Sequence, residues 1–315
     1  MEKKDLKIVF FGTPEFAVES LDALIKNDFN VVGVVTMPDK TAGRGHKLYQ
    51  SDVKRYAVAH DLPLLQPEKL KAEGFINELK ALEADLFIVI AFRMLPREVW
   101  QMPRLGTFNL HASLLPKYRG AAPINRAVMN GDTETGVTTF FLKHEIDTGD
   151  MIMQRKIEIR PEDNVGDVHD RLMHLGAEMV VDTVYSILDG SLTTTPQPEG
   201  EFTPAPKIFK EDCRINWNKS SLEVHNLIRG LSPYPAAWTI VEEESGRPLE
   251  SKIFESRLTD MPCYGVECGT LKREGKQLFA ACADRWIEIL SIQPAGKKRM
   301  ATEAFLLGYH PFLMR

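Results

Sequence analysis

Three polar side chains carry the chemistry that this sequence could do. Asn109 and His111 stand two residues apart in the run Thr107-Phe108-Asn109-Leu110-His111, and Asp147 follows in Glu145-Ile146-Asp147-Thr148-Gly149-Asp150. In an extended strand that spacing puts Asn109 and His111 on one face and Phe108 and Leu110 on the other. A carboxylate can orient a histidine for proton transfer, and an asparagine amide can donate to an oxyanion that develops on an attacked carbonyl. No nucleophile accompanies them. Ser113 lies outside any G-x-S-x-G elbow, and all four cysteines, Cys213, Cys263, Cys268 and Cys282, fall in the last third of the chain. The set suits direct transfer between two bound substrates rather than a covalent enzyme intermediate. Each residue also has an ordinary structural alternative: His111 as a satisfied core histidine, Asn109 as a loop cap, Asp147 as an Asx-turn residue.

The elements that must position these residues read as an α/β pattern. The apolar run from Lys7 to Phe11 ends in Gly12-Thr13-Pro14, helical spacing follows from Phe16 to Ile25, and a second apolar run covers Val31 to Val35. That β-α-β unit predicts a Rossmann-like, mostly parallel sheet. Helices over 51–59 and 72–82 and strands over 62–65 and 85–91 continue it. The strand ending at His111 then delivers its polar residues to a carboxyl edge, where open sheets of this kind place their ligands. Further strands are expected over 135–141 and 151–159, and a long amphipathic helix over 165–188. The Gly-Thr-Pro turn lacks the second and third glycines of the dinucleotide fingerprint, which disfavours an NAD enzyme.

A change of texture marks the segment Ser191 to Pro206, SLTTTPQPEGEFTPAP, whose four prolines exclude a helix and predict a semi-rigid linker. The expected division is a catalytic domain over 1–190, a linker over 191–206 and a second domain over 207–315. In the last of these, one helix near 220–229 and short strands over 237–243, 252–257, 269–273, 277–281 and 286–293 predict a small barrel of the OB type. This domain carries 16 Lys and Arg against 14 Asp and Glu, while residues 1–206 carry 23 against 30. A mildly basic tail on an acidic body hints at an anionic partner. The long polar stretch Thr36 to Lys47 exceeds the usual α/β connection, and Lys40, Arg44, Lys47, Lys54 and Arg55 could meet phosphates; a solvated, disordered loop is the plain alternative.

No run approaches the roughly 20 apolar residues of a membrane helix, and the charged start lacks a signal peptide pattern, so a cytoplasmic protein is expected. The cysteines have no zinc spacing, and no metal is expected; reduced, buried thiols are the natural reading.

Long motifs in fixed order resemble the methionyl-tRNA formyltransferases among the folate-dependent formyltransferases. They are FFGTPEFAVESLDAL, TMPDKTAGRGHKL, FNLHASLLPKYRGAAPINRAVMNGDTETGVT, EIDTGDM and PKIFKEDCRINW, spread over essentially the whole chain. The resemblance implies formyl transfer from 10-formyltetrahydrofolate to the α-amine of initiator methionyl-tRNA, with Asn109, His111 and Asp147 as catalytic residues. It implies folate contact by Ser113, Leu114, Leu115 and Pro116, with Phe16, Ile88, Val89, Ile90 and Ala91 near the pterin pocket. Arg44 matches the basic residue of the family's inserted loop that reaches the tRNA acceptor end, joined by Lys40 and Lys47. Lys207, Lys210, Arg214 and Lys297-Lys298-Arg299 are candidates for tracking RNA backbone from the barrel. Phe92-Arg93 departs from the small pair usual before the Leu-Pro, which touches the pocket rim. A monomer is expected. Two alternatives stay open: a formyltransferase for a small amine, such as glycinamide ribonucleotide or an amino sugar nucleotide, and an RNA-binding protein on a disused enzyme scaffold.

Overall fold

The computed structural model describes residues 2–42, 47–198, 200, 202–244, 246 and 248–315. Two compact units divide the chain. The first holds Met1–Gly120, Gly136–Ile157 and Asp170–Pro204; the second holds Ala121–Thr135, Glu158–His169 and Ala205–Arg315.

The first unit begins with β1 (Ile8–Gly12), α1 (Glu15–Lys26) and β2 (Val31–Val35). All five residues of β1 are buried, as an unbroken apolar run demands when helices cover both faces of a parallel sheet. A hairpin of β3 (Lys40–Ala42) and β4 (Lys47–Tyr49) follows, with Lys40 opposite Tyr49 and Ala42 opposite Lys47. At 40–42 and 47 this corrects the expectation of a polar loop over 36–47, whose residues 43–46 lie outside the described residues. Tyr49 is a strand-favouring aromatic and Leu48 is apolar, enough for a short two-stranded ladder despite the surrounding lysines. Then come α2 (Asp52–Ala59), β5 (Leu64–Leu65), α3 (Glu73–Ala81), β6 (Leu86–Ile90), α4 (Arg97–Trp100) and β7 (Thr107–His111). Ser51 caps α2 by accepting from Lys54 N at 3.0 Å, which satisfies one of the free first-turn amides.

The remaining elements of this half of the chain are β8 (Arg119–Gly120), α5 (Pro123–Met129), β9 (Glu134–Phe141), β10 (Met151–Glu158), α6 (Val165–Asp189) and β11 (Pro204–Ala205). The main sheet runs β10-β9-β7-β6-β1-β2-β5. Strands β5, β2, β1, β6 and β7 are parallel neighbours, and β9 joins β7 antiparallel. The expected mostly parallel, Rossmann-like sheet is present. Phe10, Phe11, Phe87, Phe108 and Phe140 are fully buried around it and fix its centre at β1, β6 and β7.

In the second unit, α7 (Ser221–Leu231) opens with a capping box between Ser220 and Glu223. After it come β12 (Ala237–Glu243), β13 (Pro248–Pro262), β14 (Leu271–Glu274), β15 (Gln277–Ala281), β16 (Arg285–Pro294), β17 (Met300–Ala301), α8 (Thr302–Gly308) and β18 (Pro311–Met314). The antiparallel order is β14-β15-β16-β13-β12-β18. Met314 N donates to Gly269 O and Gly269 N to Ala281 O, both at 2.8 Å, so the last strand returns beside the start of β14 and nearly closes a barrel. Only glycine allows this approach: at φ +87 a Cβ on Gly269 would stand 2.0 Å from Met314 O. The small barrel expected from the sequence is therefore there, with differences in detail. Strand β13 is 15 residues long, where the apolar stretch marked only 252–257, because buried Leu249 and Ser251 extend the alternation and register shifts bend the strand.

Candidate active site

Strand β7 ends at the carboxyl edge of the sheet between β6 and β9, with Asn109 opposite Val89 and Phe140, and His111 opposite Thr138. The strand alternation holds: Phe108 and Leu110 are buried on one face, while half-buried Asn109 and buried His111 share the other. The Asn109 amide has no hydrogen-bond partner among the described residues.

His111 is held by a main-chain group that sequence reasoning missed. Its Nε2 lies 2.8 Å from the carbonyl oxygen of Tyr118. A carbonyl only accepts, so Nε2 carries the proton and donates, and Nδ1 is the free lone pair of the neutral ring. Tyr118 is 4% exposed and adopts φ 61, a left-handed backbone that costs a tyrosine strain and turns its carbonyl toward the histidine. The Pro116-Lys117-Tyr118-Arg119-Gly120 turn composition was the one signal available.

Nδ1 of His111 faces Asp147 Oδ2 at 3.8 Å, beyond a hydrogen bond but within direct electrostatic reach. Asp147 also has a left-handed backbone, φ 55, and its Oδ2 accepts from Gly120 N at 2.9 Å. The structure thus brings Asn109, His111 and Asp147 together, with Tyr118, not Asp147, fixing the ring's orientation. Gly149 lets the 147–150 turn close on β9: a Cβ there would meet Phe141 O at 1.5 Å.

The segment 113–116 beside this cluster is clamped from β9 and β10. Thr138 Oγ1 donates to Ser113 O at 2.7 Å and accepts from Leu115 N at 3.2 Å, while Gln154 Nε2 donates to Leu115 O at 2.8 Å. Ser113 is fully buried and spends its hydroxyl on Lys117 O at 2.6 Å. The Leu115-Pro116 bond is cis, Leu115 is buried and Leu114 half-buried. Ile88 and Ile90 are fully buried and Val89 nearly so, which makes their side chains part of the core. Phe16 packs in the first turns of α1 at 7% exposure. Ala91, exposed at φ 46, ends β6 one residue past Ile90, which pairs with Leu110.

The Phe92-Arg93 pair has a structural account. Phe92 meets Phe11 edge-on at 5.8 Å, and the Arg93 guanidinium donates to Glu68 O at 2.8 Å and to Pro67 O. Arg93 thereby ties the exit of β6 to the segment after β5, and burial lowers its pKa.

Of the basic residues, Arg44 lies outside the described residues. Lys47 belongs to β4, and Lys40, exposed, to β3. In the second unit, exposed Lys207 lies over the Phe209 ring at 5.5 Å, while Lys210 and Arg214 lie over the Trp238 ring at 5.1 and 5.3 Å. Lys210 also pairs with Glu250 at 3.1 Å. Lys297 and Lys298 are exposed; Arg299 is committed to Glu255 and Ser291.

Cys213, Cys263 and Cys282 are buried and Cys268 half-buried, all as free thiols; burial pushes Cys282 up to about 12. No helix among the described residues is long and apolar enough to cross a membrane.

Comparison with known proteins matches residues 6–184 to the model of formyl transferase and residues 207–310 to that of the formyl transferase C-terminal domain. A methionyl-tRNA formyltransferase of Bacteroides fragilis is 58% identical over 98% of this chain and 97% of its own length. One of Flavobacterium johnsoniae is 53% identical over the same shares. Among solved structures, the sugar 3N-formyl transferase WlaRD, crystallised with dTDP and 5-N-formyl-THF, superposes with a TM-score of 0.66 at 21% identity, covering 93% of this chain and 99% of its own. At that identity the likeness is one of fold.

Proposed function

The chain belongs to the formyl transferase family, and from that premise we propose that it transfers the formyl group of 10-formyltetrahydrofolate to the α-amine of initiator methionyl-tRNA. The observation that carries the reading is the full-length likeness to methionyl-tRNA formyltransferases, which extends through the second unit as well as the first. A small-amine acceptor is not favoured by it. Asn109, His111 and Asp147 on one edge of the sheet support catalysis rather than a disused scaffold.

The residues fit a reduced-folate formyl donor. Exposed Ala91 follows the last β6–β7 pair, Ile90 with Leu110, in a left-handed backbone conformation that leaves the ladder at the carboxyl edge, and the clamped 113–116 segment follows β7 at the same edge. Bound 10-formyltetrahydrofolate supplies an electrophilic formyl carbon to which the methionyl nitrogen forms its new bond as the bond to folate N10 breaks. The Asn109 amide donates to the formyl oxygen as negative charge gathers there. His111 keeps its Nε2 proton on Tyr118, and its Nδ1, with the Asp147 carboxylate alongside, takes the proton that leaves the amine. That proton ends on folate N10, so the products are formyl-methionyl-tRNA and tetrahydrofolate.

Within this reading Ser113 to Pro116, Phe16 and Ile88 to Ala91 surround the pterin, the buried side chains acting through the main chain they position. Arg44, Lys40 and Lys47 serve the acceptor end of the tRNA, and Lys207, Lys210 and Arg214 serve its backbone, with Phe209 as an exposed ring beside Lys207. The division at 190 and 207 and action as a cytoplasmic monomer belong to the same proposal. The test measures formyl transfer to methionyl-tRNA and to glycinamide ribonucleotide and an amino sugar nucleotide. Turnover on the tRNA alone is expected, and turnover of a small amine with none on the tRNA would overturn the reading.

A further inference from the structure

Immediately after α6 the chain does not leave the first unit; it straps across the two turns that hold Asp147. Thr195 exchanges two main-chain hydrogen bonds with Met151, at 2.8 and 2.9 Å. Two residues later Gln197, half-buried between Pro196 and Pro198, uses both ends of its amide. Nε2 donates to Asp147 O at 2.8 Å and to Gly149 O at 2.9 Å. Oε1 accepts from the Arg119 guanidinium at 2.6 and 3.1 Å. Arg119 is fixed in turn: its N donates to Thr203 O at 3.1 Å, and its guanidinium lies 4.9 Å over the Phe202 ring.

This arrangement closes a ring around the carboxylate. Asp147 Oδ2 is held by the amide of Gly120, the neighbour of Arg119, while the Asp147 main chain is held by the side chain that holds Arg119. Asp147 occupies a left-handed backbone, a conformation less favourable than the right-handed one even for an aspartate, so contacts that hold the turn help to keep it there. Among the described residues, Gln197 is the one side chain that bonds both carbonyls of the 147–149 turn and the strand that carries Gly120. The flanking prolines restrict the backbone of the strap and lower the entropy lost in keeping this contact.

We infer that Gln197 is a positioning residue for formyl transfer: through the 147–149 turn it sets the distance and direction of the Asp147 carboxylate relative to His111. The inference rests on Asp147 acting in catalysis as proposed above. The stretch that carries Thr195 and Gln197 is then part of the catalytic apparatus rather than only a tether.

Steady-state formylation of methionyl-tRNA by the full chain tests this, with Gln197→Ala, Gln197→Glu, Asp147→Asn and the Gln197→Ala/Asp147→Asn pair. Displacing a reacting group by about 1 Å can cost about 100-fold, so Gln197→Ala is expected to lower kcat by about 10- to 100-fold with KM for both substrates within about threefold. Gln197→Glu keeps the acceptor for Arg119 but cannot donate to the two carbonyls, and is expected to lose the same kcat. In the pair, the second substitution is expected to cost less than about threefold beyond Asp147→Asn, since both act through one carboxylate. Full activity in Gln197→Ala, recovery by Gln197→Glu, or losses that multiply in the pair would overturn the positioning role while leaving Asp147 in place. Wild-type activity in Asp147→Asn would instead overturn the catalytic reading beneath it.

Discussion

Replacing Gly149 by alanine should disable the site through the backbone alone, because no side chain of the proposed chemistry is touched. A Cβ at this position would stand 1.5 Å from Phe141 O, 2.7 Å from Phe141 C and 3.1 Å from Phe140 Cδ2. Real Cβ atoms do not approach closer than 3.0 Å, so the turn has to retreat from β9 by at least 1.5 Å. That movement strains the bond from Phe141 N to Asp150 O, 3.0 Å, and pulls Gly149 O from Gln197. Asp147 lies two residues away and should move by about 1 Å, a displacement that costs about 100-fold in kcat. Overpacking of this kind also costs about 1–3 kcal/mol of stability, and a domain of this size loses about 2–4 °C of melting temperature per kcal/mol. Gly74 in α3 is the matched control, since a Cβ there meets nothing within 4 Å. Gly74→Ala should leave kcat unchanged and stabilise by about 0.5–1 kcal/mol from helix propensity. Formylation kinetics and thermal unfolding on both variants decide the matter. Wild-type kcat and melting temperature in Gly149→Ala would refute the claim that close approach of this turn to β9 shapes the site.

Asn109→Ala should lower kcat by about 10²- to 10³-fold in the same assay, with thermal stability nearly unchanged because its amide has no partner among the described residues. Arg93→Ala strips the donors from the Pro67 and Glu68 carbonyls and should cost about 1–3 kcal/mol by chemical denaturation. The Glu223 carboxylate, held by the Ser220 hydroxyl, the Ser220 amide and Lys219, titrates at about 2 in the folded chain against an ordinary 4.5. A lowered folded pKa adds stability that is complete above about 4.5 and disappears as pH falls toward 2; Glu223→Gln should flatten the pH dependence of the unfolding midpoint across that window.

The parts of the fold visible in the sequence were those set by local pattern. Ile8 to Gly12, Val31 to Val35 and Leu86 to Ile90 are apolar without interruption, and only strands buried on both faces need that. Asn109 and His111 stood out because strand alternation made two polar residues on one face conspicuous beside buried Phe108 and Leu110. What stayed hidden depends on partners distant in sequence. The carbonyl of Tyr118 and the amide of Gln197 act through main-chain geometry and have no residue-type signature; a glutamine between two prolines in a linker looks like any solvated side chain. The hairpin of β3 and β4 hid behind its lysines. The length of β13 was obscured because Ser251 and Glu250 interrupt its apolar texture while its neighbours β12 and β16 supply the ladder. Strand β18 is four residues long and gains its place from the barrel that it nearly closes.

In the proposed function this edge of the sheet moves a formyl group from folate to a methionyl-tRNA. A single-turnover measurement of labelled formyl passing from 10-formyltetrahydrofolate to methionyl-tRNA, with the intact chain and with His111→Ala, tests it most directly when tRNA binding is followed in parallel. Transfer by the intact chain is expected, and in His111→Ala a rate lower by about 10²-fold or more with tRNA binding retained. Transfer at the intact rate in His111→Ala would contradict it.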